Sequence, residues 1–344
     1  MNFAPHIYTL IISLLIISFL YLLLRNNFLI EKTSSEIRKI HSVNVIRLGG
    51  IVLLSILSVL NFLEDPLYVS IILFGVIFLL IGALEDIFNF ISPIIRALFM
   101  LLLISFFVVS NKIIISDVDN NFISLILENN QLIASGFTII CLFIFINGNN
   151  FIDGLNGLLL GSTIIILVHY LFLVTKIESD LFLLITIILI PVIIVFLVNF
   201  YFGNILAGDG GSYFLGFLVG IISIFMAQVE EVQSFKIACM IFYPCFEVIF
   251  TILRRLIINR KNPFYPDGKH LHQLLFAFID NRQLNISKTK VNSLTSMIIL
   301  LVLIFNHLII AYFPIDLNFI LYFIILIISY ISLYLVLDKA VSSH

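Results

Sequence analysis

The chain has little charge. Only 11% of its 344 residues are Asp, Glu, Lys or Arg, while 61% are hydrophobic and 35 are Phe. No water-soluble core needs that much apolar surface, so a soluble globular domain is excluded and an all-α, multi-pass integral membrane protein is expected. Cysteine is scarce as well. Cys141, Cys239 and Cys245 are odd in number and fall inside apolar runs, which argues against a disulfide framework or a thiolate metal site and reads as packing. The first apolar run, residues 7–24, lacks a basic segment before it and a small-residue cleavage site after it. It is expected to be a first transmembrane helix rather than a removed leader. No internal repeat is visible. The net charge of −2 carries no statement about partners, because in a membrane protein the distribution of charge matters more than its sum. No nucleic-acid partner is expected.

A span needs about 20 apolar residues. Eleven candidates follow: 7–24, 48–63, 67–84, 94–110, 132–146, 158–174, 182–200, 212–227, 235–253, 293–313 and 318–337. They make one membrane domain over residues 1–344. The mixed segment between the fourth and fifth spans carries an apolar run too short to cross, and is expected to lie on the surface or form a short hairpin. With eleven spans, fifteen of the eighteen Lys and Arg fall on one side, and only Lys112, Lys176 and Lys236 on the other. The positive-inside rule then puts the N-terminus outside and the C-terminus in the cytoplasm. Every polar motif lands on the cytoplasmic face.

Against this background the acidic and amide residues stand out. Gly82-Ala83-Leu84-Glu85-Asp86 closes the third span. A carboxylate pair is unfavourable at a helix C-terminus, where the dipole prefers cations, so a bound cation or a basic neighbour is expected there. In the run from Asn147 to Gly157, polar residues recur at Asn147, Asn150, Asp153 and Asn156. If helical, that spacing of three lines one face with amides and a carboxylate. Gly208-Asp209-Gly210-Gly211-Ser212 opens the eighth span. Glycines there free backbone N–H groups for phosphate oxygens, and Asp209 is a hard oxygen ligand of the kind Mg2+ takes. Asn199 precedes it near the end of the seventh span. The long loop that follows the ninth span carries Arg254, Arg255 and Lys269-His270-Leu271-His272-Gln273. His270 and His272 share a face of an extended segment, not of a helix, which disfavours a helical zinc pair. The basic groups suit a diphosphate or nucleotide. Glu247 is a lone carboxylate inside the ninth span, able to pair with a motif residue near the cytoplasmic end.

With these residues in hand, the chain resembles the polyprenyl-phosphate N-acetylhexosamine-1-phosphate transferases of glycosyltransferase family 4, which include the WecA-like and MraY-like enzymes. The resemblance covers about residues 36–280 and keeps the order of motifs. Arg38-Lys39-x-His41 with Gly49-Gly50 resembles the first cytoplasmic motif, and Gly82-x-x-Glu85-Asp86, with Pro93 and Arg96 after it, the Asp-Asp motif. Asn147-x-x-Asn150-x-x-Asp153-Gly154-x-Asn156-Gly157 resembles the third motif. Asn199 with Gly208-Asp209-x-Gly211-Ser212 resembles the metal motif, and Pro263-Phe264-x-Pro266-Asp267 with His270-x-His272 the His loop. Three positions depart from the pattern: Glu85 stands for Asp, Asn156 for the second Asp of the third motif, and Gln273 for the last His. The proline-rich stretch after His41 is missing.

The resemblance implies transfer of an N-acetylhexosamine 1-phosphate from a UDP-sugar to undecaprenyl phosphate, with release of UMP. That is a first membrane step of a cell-surface glycan such as lipopolysaccharide O-antigen or a cell-wall polymer, at the inner membrane. It implies Mg2+, with Mn2+ as a substitute, held by Asp209 and Asp153. Catalytic roles fall to Glu85, Asp86, Asp153, Asn156, His270 and His272. Substrate-binding roles fall to Arg38, His41, Asn147, Asn150, Asn199, Gly208, Gly211, Ser212, Arg254 and Arg255. Direct attack by the lipid phosphate and a covalent enzyme intermediate both fit these residues. An ion-coupled secondary transporter is the alternative from another class, although its carboxylates belong near the bilayer midplane and its halves often repeat. A family member inactivated through Glu85 and Asn156 is the other alternative.

Overall fold

The computed structural model describes residues 3–25, 47, 49–88, 91–176, 179–258, 268–282, 285–312 and 318–342. Among them the regular structure is helical. In chain order, α1 (Ala4–Arg25) is followed by a 3-10 helix (Gly49–Phe62), α2 (Pro66–Phe88), α3 (Pro93–Asn111), the short α4 (Asn121–Asn129) and α5 (Gln131–Ile152). Then come α6 (Leu158–Leu173), α7 (Asp180–Phe202), α8 (Gly208–Gln228), α9 (Ser234–Met240), α10 (Phe242–Leu253), α11 (Leu271–Asp280), α12 (Lys288–Tyr312) and α13 (Phe319–Ser342). The backbone continues α10 through a π-helical turn, Arg254–Ile258.

Among the described residues, eight helices are long and apolar enough to cross a membrane, and nine if α9 and α10, bent by 79°, are one broken span. Each of the eleven expected segments coincides with a helix or with that bent pair. The second and sixth are short, at 14 and 16 residues. The 3-10 geometry changes what the second can reach. At about 2.0 Å per residue it extends about 28 Å, where an α-helix of that length would extend about 21 Å. That is close to the thickness of the hydrocarbon core, about 30 Å.

The bundle is organised around α8. Every residue from Gly208 to Met226 except Asp209 is buried, as expected of a helix apolar on all sides. Lipid is as apolar as leucine, so helices in a membrane hold together through close backbone approach at small residues and through polar contacts. Both are present. A Cβ on Gly50 would lie 2.5 Å from the Gly211 backbone, one on Gly82 2.3 Å from Gly210 N, and one on Gly216 2.8 Å from Ile146 Cα. The 3-10 helix, α2 and α5 therefore touch α8 backbone to backbone. Gly49 and Gly50 donate to Leu206 and Ala207 carbonyls at 2.8 and 3.0 Å, tying the 3-10 helix to the lead-in of α8. Ser13 Oγ donates to Ser55 Oγ at 2.8 Å, joining α1 to the 3-10 helix. The segment between α3 and α5 forms α4, whose Phe122 and Leu125 are exposed.

Candidate active site

The end of the bundle at the α8 N-terminus gathers side chains from four separate segments. Gly208 starts the helix with φ +74°, a left-handed conformation that a side chain would strain, and its missing Cβ lets the Arg47 carbonyl and Asp86 Oδ2 approach. Asp209, the one partly exposed residue of the buried stretch, is the hub. Its Oδ1 accepts from Asn150 Nδ2 at 2.8 Å, and its Oδ2 accepts from Arg96 Nη1 at 2.7 Å and from the Tyr213 hydroxyl at 3.3 Å. Asn150 Nδ2 also lies 3.0 Å from Ser212 Oγ, which itself donates to the Asp209 carbonyl.

The other two aspartates hold the backbone of the same turn. Gly208 N–H donates to Asp153 Oδ2 at 2.9 Å and Gly210 N–H to Asp86 Oδ2 at 3.1 Å. These donors were expected to face phosphate. They are taken by carboxylates from α2 and from the turn after α5, which the positive end of α8 favours. Burial pushes the Asp153 carboxyl well above the usual range, and the charges of Asp86 and Asp209 add to this against the Gly208 hydrogen bond and Arg47. Glu85 turns toward α3 and the segment leading into it. Its Oε2 accepts from Ile91 N at 3.2 Å, and its Oε1 lies 3.8 Å from Arg96 Nη1. The carboxylate pair at the C-terminus of α2 thus has a basic neighbour, as the helix dipole requires.

Beside this cluster lies a second one. His270 precedes α11 in extended conformation and His272 lies in its first turn. Their rings stack 5.5 Å apart and nearly parallel, at 7°. Phe151 meets the His270 ring edge-on at 5.0 Å. A Cβ on Gly154 would lie 3.0 Å from His272 Nε2, which is buried without a hydrogen-bond partner. The turn 151–157 is therefore shared, with Asp153 facing α8 and Gly154 facing the His272 imidazole. Burial lowers His272 to about 3, so its ring is neutral at physiological pH. His270 is held by Glu247 Oε1 at 3.0 Å, and Gln273 Oε1 accepts from the His270 N–H at 3.2 Å. Gln273, a departure from the motif, serves as a helix-capping residue. Arg254 and Arg255 are buried on the π-helical turn, and the Arg254 guanidinium lies 5.7 Å from the Tyr334 ring centre.

Other expected site residues lie apart from these contacts. Asn147 donates to the Phe143 carbonyl of its own helix at 2.8 Å. Asn156 points toward α12: its N–H donates to Asn292 Oδ1 at 2.6 Å and its Nδ2 to Ser293 Oγ at 3.2 Å. Asn199 accepts from the Gly157 N–H and donates to the Ile205 carbonyl at 2.8 Å, joining the α5–α6 turn to the lead-in of α8. Gly211 packs on Gly50. Arg38, His41 and residues 263–267 lie outside the described residues. Arg96 and Tyr213 bind the hub and were not among the expected site residues. Arg96 is the single basic residue of its segment, the signal that could have found it.

Among the described residues no three His, Cys, Asp or Glu side chains form a ready metal set. Asp86 Oδ1 is buried without a hydrogen-bond partner, in a cluster with Asp153 and Asp209. Mg2+ usually takes one or two carboxylates, with substrate phosphates and waters completing its shell, and these hard oxygens fit it.

Residues 68–227 match the sequence model of glycosyl transferase family 4. A probable undecaprenyl-phosphate N-acetylglucosaminyl 1-phosphate transferase of Bacillus subtilis is 35% identical over 136 residues, 38% of this chain and 37% of the relative. An undecaprenyl-phosphate alpha-N-acetylglucosaminyl 1-phosphate transferase of Thermotoga maritima is 30% identical over 71 residues, 21% of this chain and 23% of the relative. The matches span well under half the length of either relative.

Proposed function

We propose a reaction for a chain that, through residues 68–227, belongs to glycosyl transferase family 4: transfer of an N-acetylhexosamine 1-phosphate from a UDP-sugar to undecaprenyl or a related polyprenyl phosphate. An oxygen of the lipid phosphate bonds to the sugar-bearing phosphorus, the bond from that phosphorus to the bridging oxygen breaks, and UMP leaves with that oxygen as its terminal phosphate oxygen. The observation that carries this reading is the meeting of Asp209 with Arg96 and Asn150, while Asp86 and Asp153 hold the same helical turn. The names of the two relatives point the same way.

Joining two anions is a task of positioning and charge neutralisation. Mg2+, or Mn2+ in its place, would neutralise the diphosphate when held by Asp209 and Asp153, with the free oxygen of Asp86 available to it. Arg96 holds Asp209 and stays close enough to the carboxylates to balance their charge. Asn150 fixes the Asp209 carboxylate in rotation. Glu85 or Asp86 orients the lipid phosphate or takes its proton. His270, His272 and Arg254 or Arg255 bind the diphosphate and stabilise the charge on departing UMP. Asn199 and Asn156 hold the α5–α6 turn against the lead-in of α8 and against α12.

Eleven spans with the N-terminus outside and the C-terminus in the cytoplasm would put this end of the bundle on the cytoplasmic face of the inner membrane, where UDP-sugars are found. The test uses membranes containing this chain, Mg2+, undecaprenyl phosphate and a panel of UDP-N-acetylhexosamines. UMP release that needs both lipid and metal is expected. No release from any donor, beside an active relative, would overturn the reading.

A further inference from the structure

Glu247 sits on α10, fully buried, with Thr251 one turn on, whose Oγ1 lies 3.4 Å from His270 Nδ1. A buried carboxylate costs several kcal/mol unless its lone pairs are satisfied. Here they are satisfied from three directions. Oε1 accepts from the Leu271 N–H at 3.1 Å and lies 3.0 Å from His270 Nδ1, and Oε2 accepts from the Tyr330 hydroxyl at 2.8 Å. The Leu271 N–H can only donate, so Oε1 is an acceptor. His270 Nδ1 therefore carries the proton, and Nε2 is the ring nitrogen left to meet a ligand.

We propose that Glu247 is a positioning residue for the reaction inferred above: it fixes the tautomer and orientation of His270 so that Nε2 is presented to a diphosphate oxygen. The proposal rests on that reading of the site. Tyr330 is the second support. It comes from α13, outside the segment that matches the family, so the last helix is part of the scaffold of the His loop. A second contact reinforces this, since Lys269 Nζ donates to Asp338 Oδ1 of α13 at 2.9 Å. Phe151 and the His272 ring confine the imidazole from its two other sides. A carboxylate behind a catalytic imidazole plays the same part in the Ser-His-Asp triad, where its amide variant upsets the tautomer.

Here the amide should behave differently. In Glu247→Gln the Leu271 N–H still demands an acceptor, so the amide oxygen takes the Oε1 position and the NH2 turns to Tyr330. Glu247→Gln is thus expected to keep kcat within about 5-fold, whereas Glu247→Met lowers kcat about 10- to 100-fold with KM for the UDP-sugar little changed. Combined with His270→Ala, Glu247→Met should add nothing further, because its effect passes through the imidazole. Multiplying losses in the double variant, or a wild-type rate for Glu247→Met, would overturn the proposal. A readout free of activity accompanies the cycle: ring 15N signals of His270, assigned by their loss in His270→Ala. A proton fixed on Nδ1 in wild type and in Glu247→Gln, and a mixed tautomer in Glu247→Met, is expected. Unchanged signals in Glu247→Met would refute the positioning role even if the transferase reaction itself were wrong. Absence of UMP release from wild type, with the 15N result as expected, would count against the reaction alone.

Discussion

Alanine at Gly82 should separate the carboxylates of α2 from the hub on α8. An ideal Cβ there would lie 2.3 Å from Gly210 N, 2.4 Å from Asp209 C and 2.5 Å from Asp209 O, against the 3.4 Å at which ordinary contact begins. All three atoms are backbone of α8, so no side chain can turn away. Relief requires α2 and α8 to part by about 1 Å, and a misplacement of that size costs about 100-fold in rate when reacting groups must be held in register. Overpacking of this kind also costs about 1–3 kcal/mol of stability. The assay is UMP release by detergent-purified, monodisperse Gly82→Ala, normalised to folded protein, with its thermal midpoint measured in parallel. Gly136→Ala is the control, because no atom lies within 4 Å of its Cβ position. Removing a mid-helix glycine there should leave activity unchanged and stabilise by up to about 1 kcal/mol. A Gly82→Ala protein with the wild-type rate would refute the claim that this backbone contact sets the distance between the carboxylates and Asp209.

Other perturbations have defined outcomes. Asn150→Asp replaces the donor that lies 2.8 Å from Asp209 Oδ1 with a second carboxylate, and UMP release should fall about 10- to 100-fold, the equivalent of one charged hydrogen bond. Glu85→Asp restores the usual motif residue but shortens the side chain by about 1.5 Å. It should lose the Ile91 contact or the approach to Arg96 and lower the rate a few-fold, whereas a faster variant would show that Glu85 is a handicap. Chelation with EDTA should abolish UMP release and added Mg2+ or Mn2+ restore it, with binding of the lipid phosphate measured separately. His272 has its proton affinity lowered by burial, from 6.5 to about 3. The stability its neutral ring contributes is complete above pH 6.5 and is lost as pH falls from 6.5 toward 3. The fall in thermal midpoint between pH 7 and pH 5 should therefore be smaller in His272→Asn.

The helical class and the segments were legible because hydropathy reads them directly, and the candidate site because charged and amide residues have few other reasons to sit at helix ends. Side-chain direction was less legible. A spacing of three turns the helix face by about 60° at each step, and α5 ends at Ile152. Asn150 and Asp153 consequently reach α8, while Asn147 turns to its own helix and Asn156 to α12. The capture of the Gly208 and Gly210 N–H groups by carboxylates was not readable, because it depends on how closely α2 and the α5–α6 turn approach α8. Glu247 was visible as a lone carboxylate in an apolar span, but its partner His270 is 23 residues away across a loop. The reach of the second apolar segment depends on its 3-10 winding, which composition does not encode.

The most direct test of the central claim follows the phosphorus. A UDP-N-acetylhexosamine carrying 32P in the sugar-bearing phosphate is incubated with purified protein, Mg2+ and undecaprenyl phosphate, and the lipid is extracted. Label recovered in the lipid, with unlabelled UMP in the aqueous phase and neither seen with Asp209→Asn, is the expected result. Label that stays in water while UMP or UDP is released, or full transfer by Asp209→Asn, would contradict sugar 1-phosphate transfer at this site.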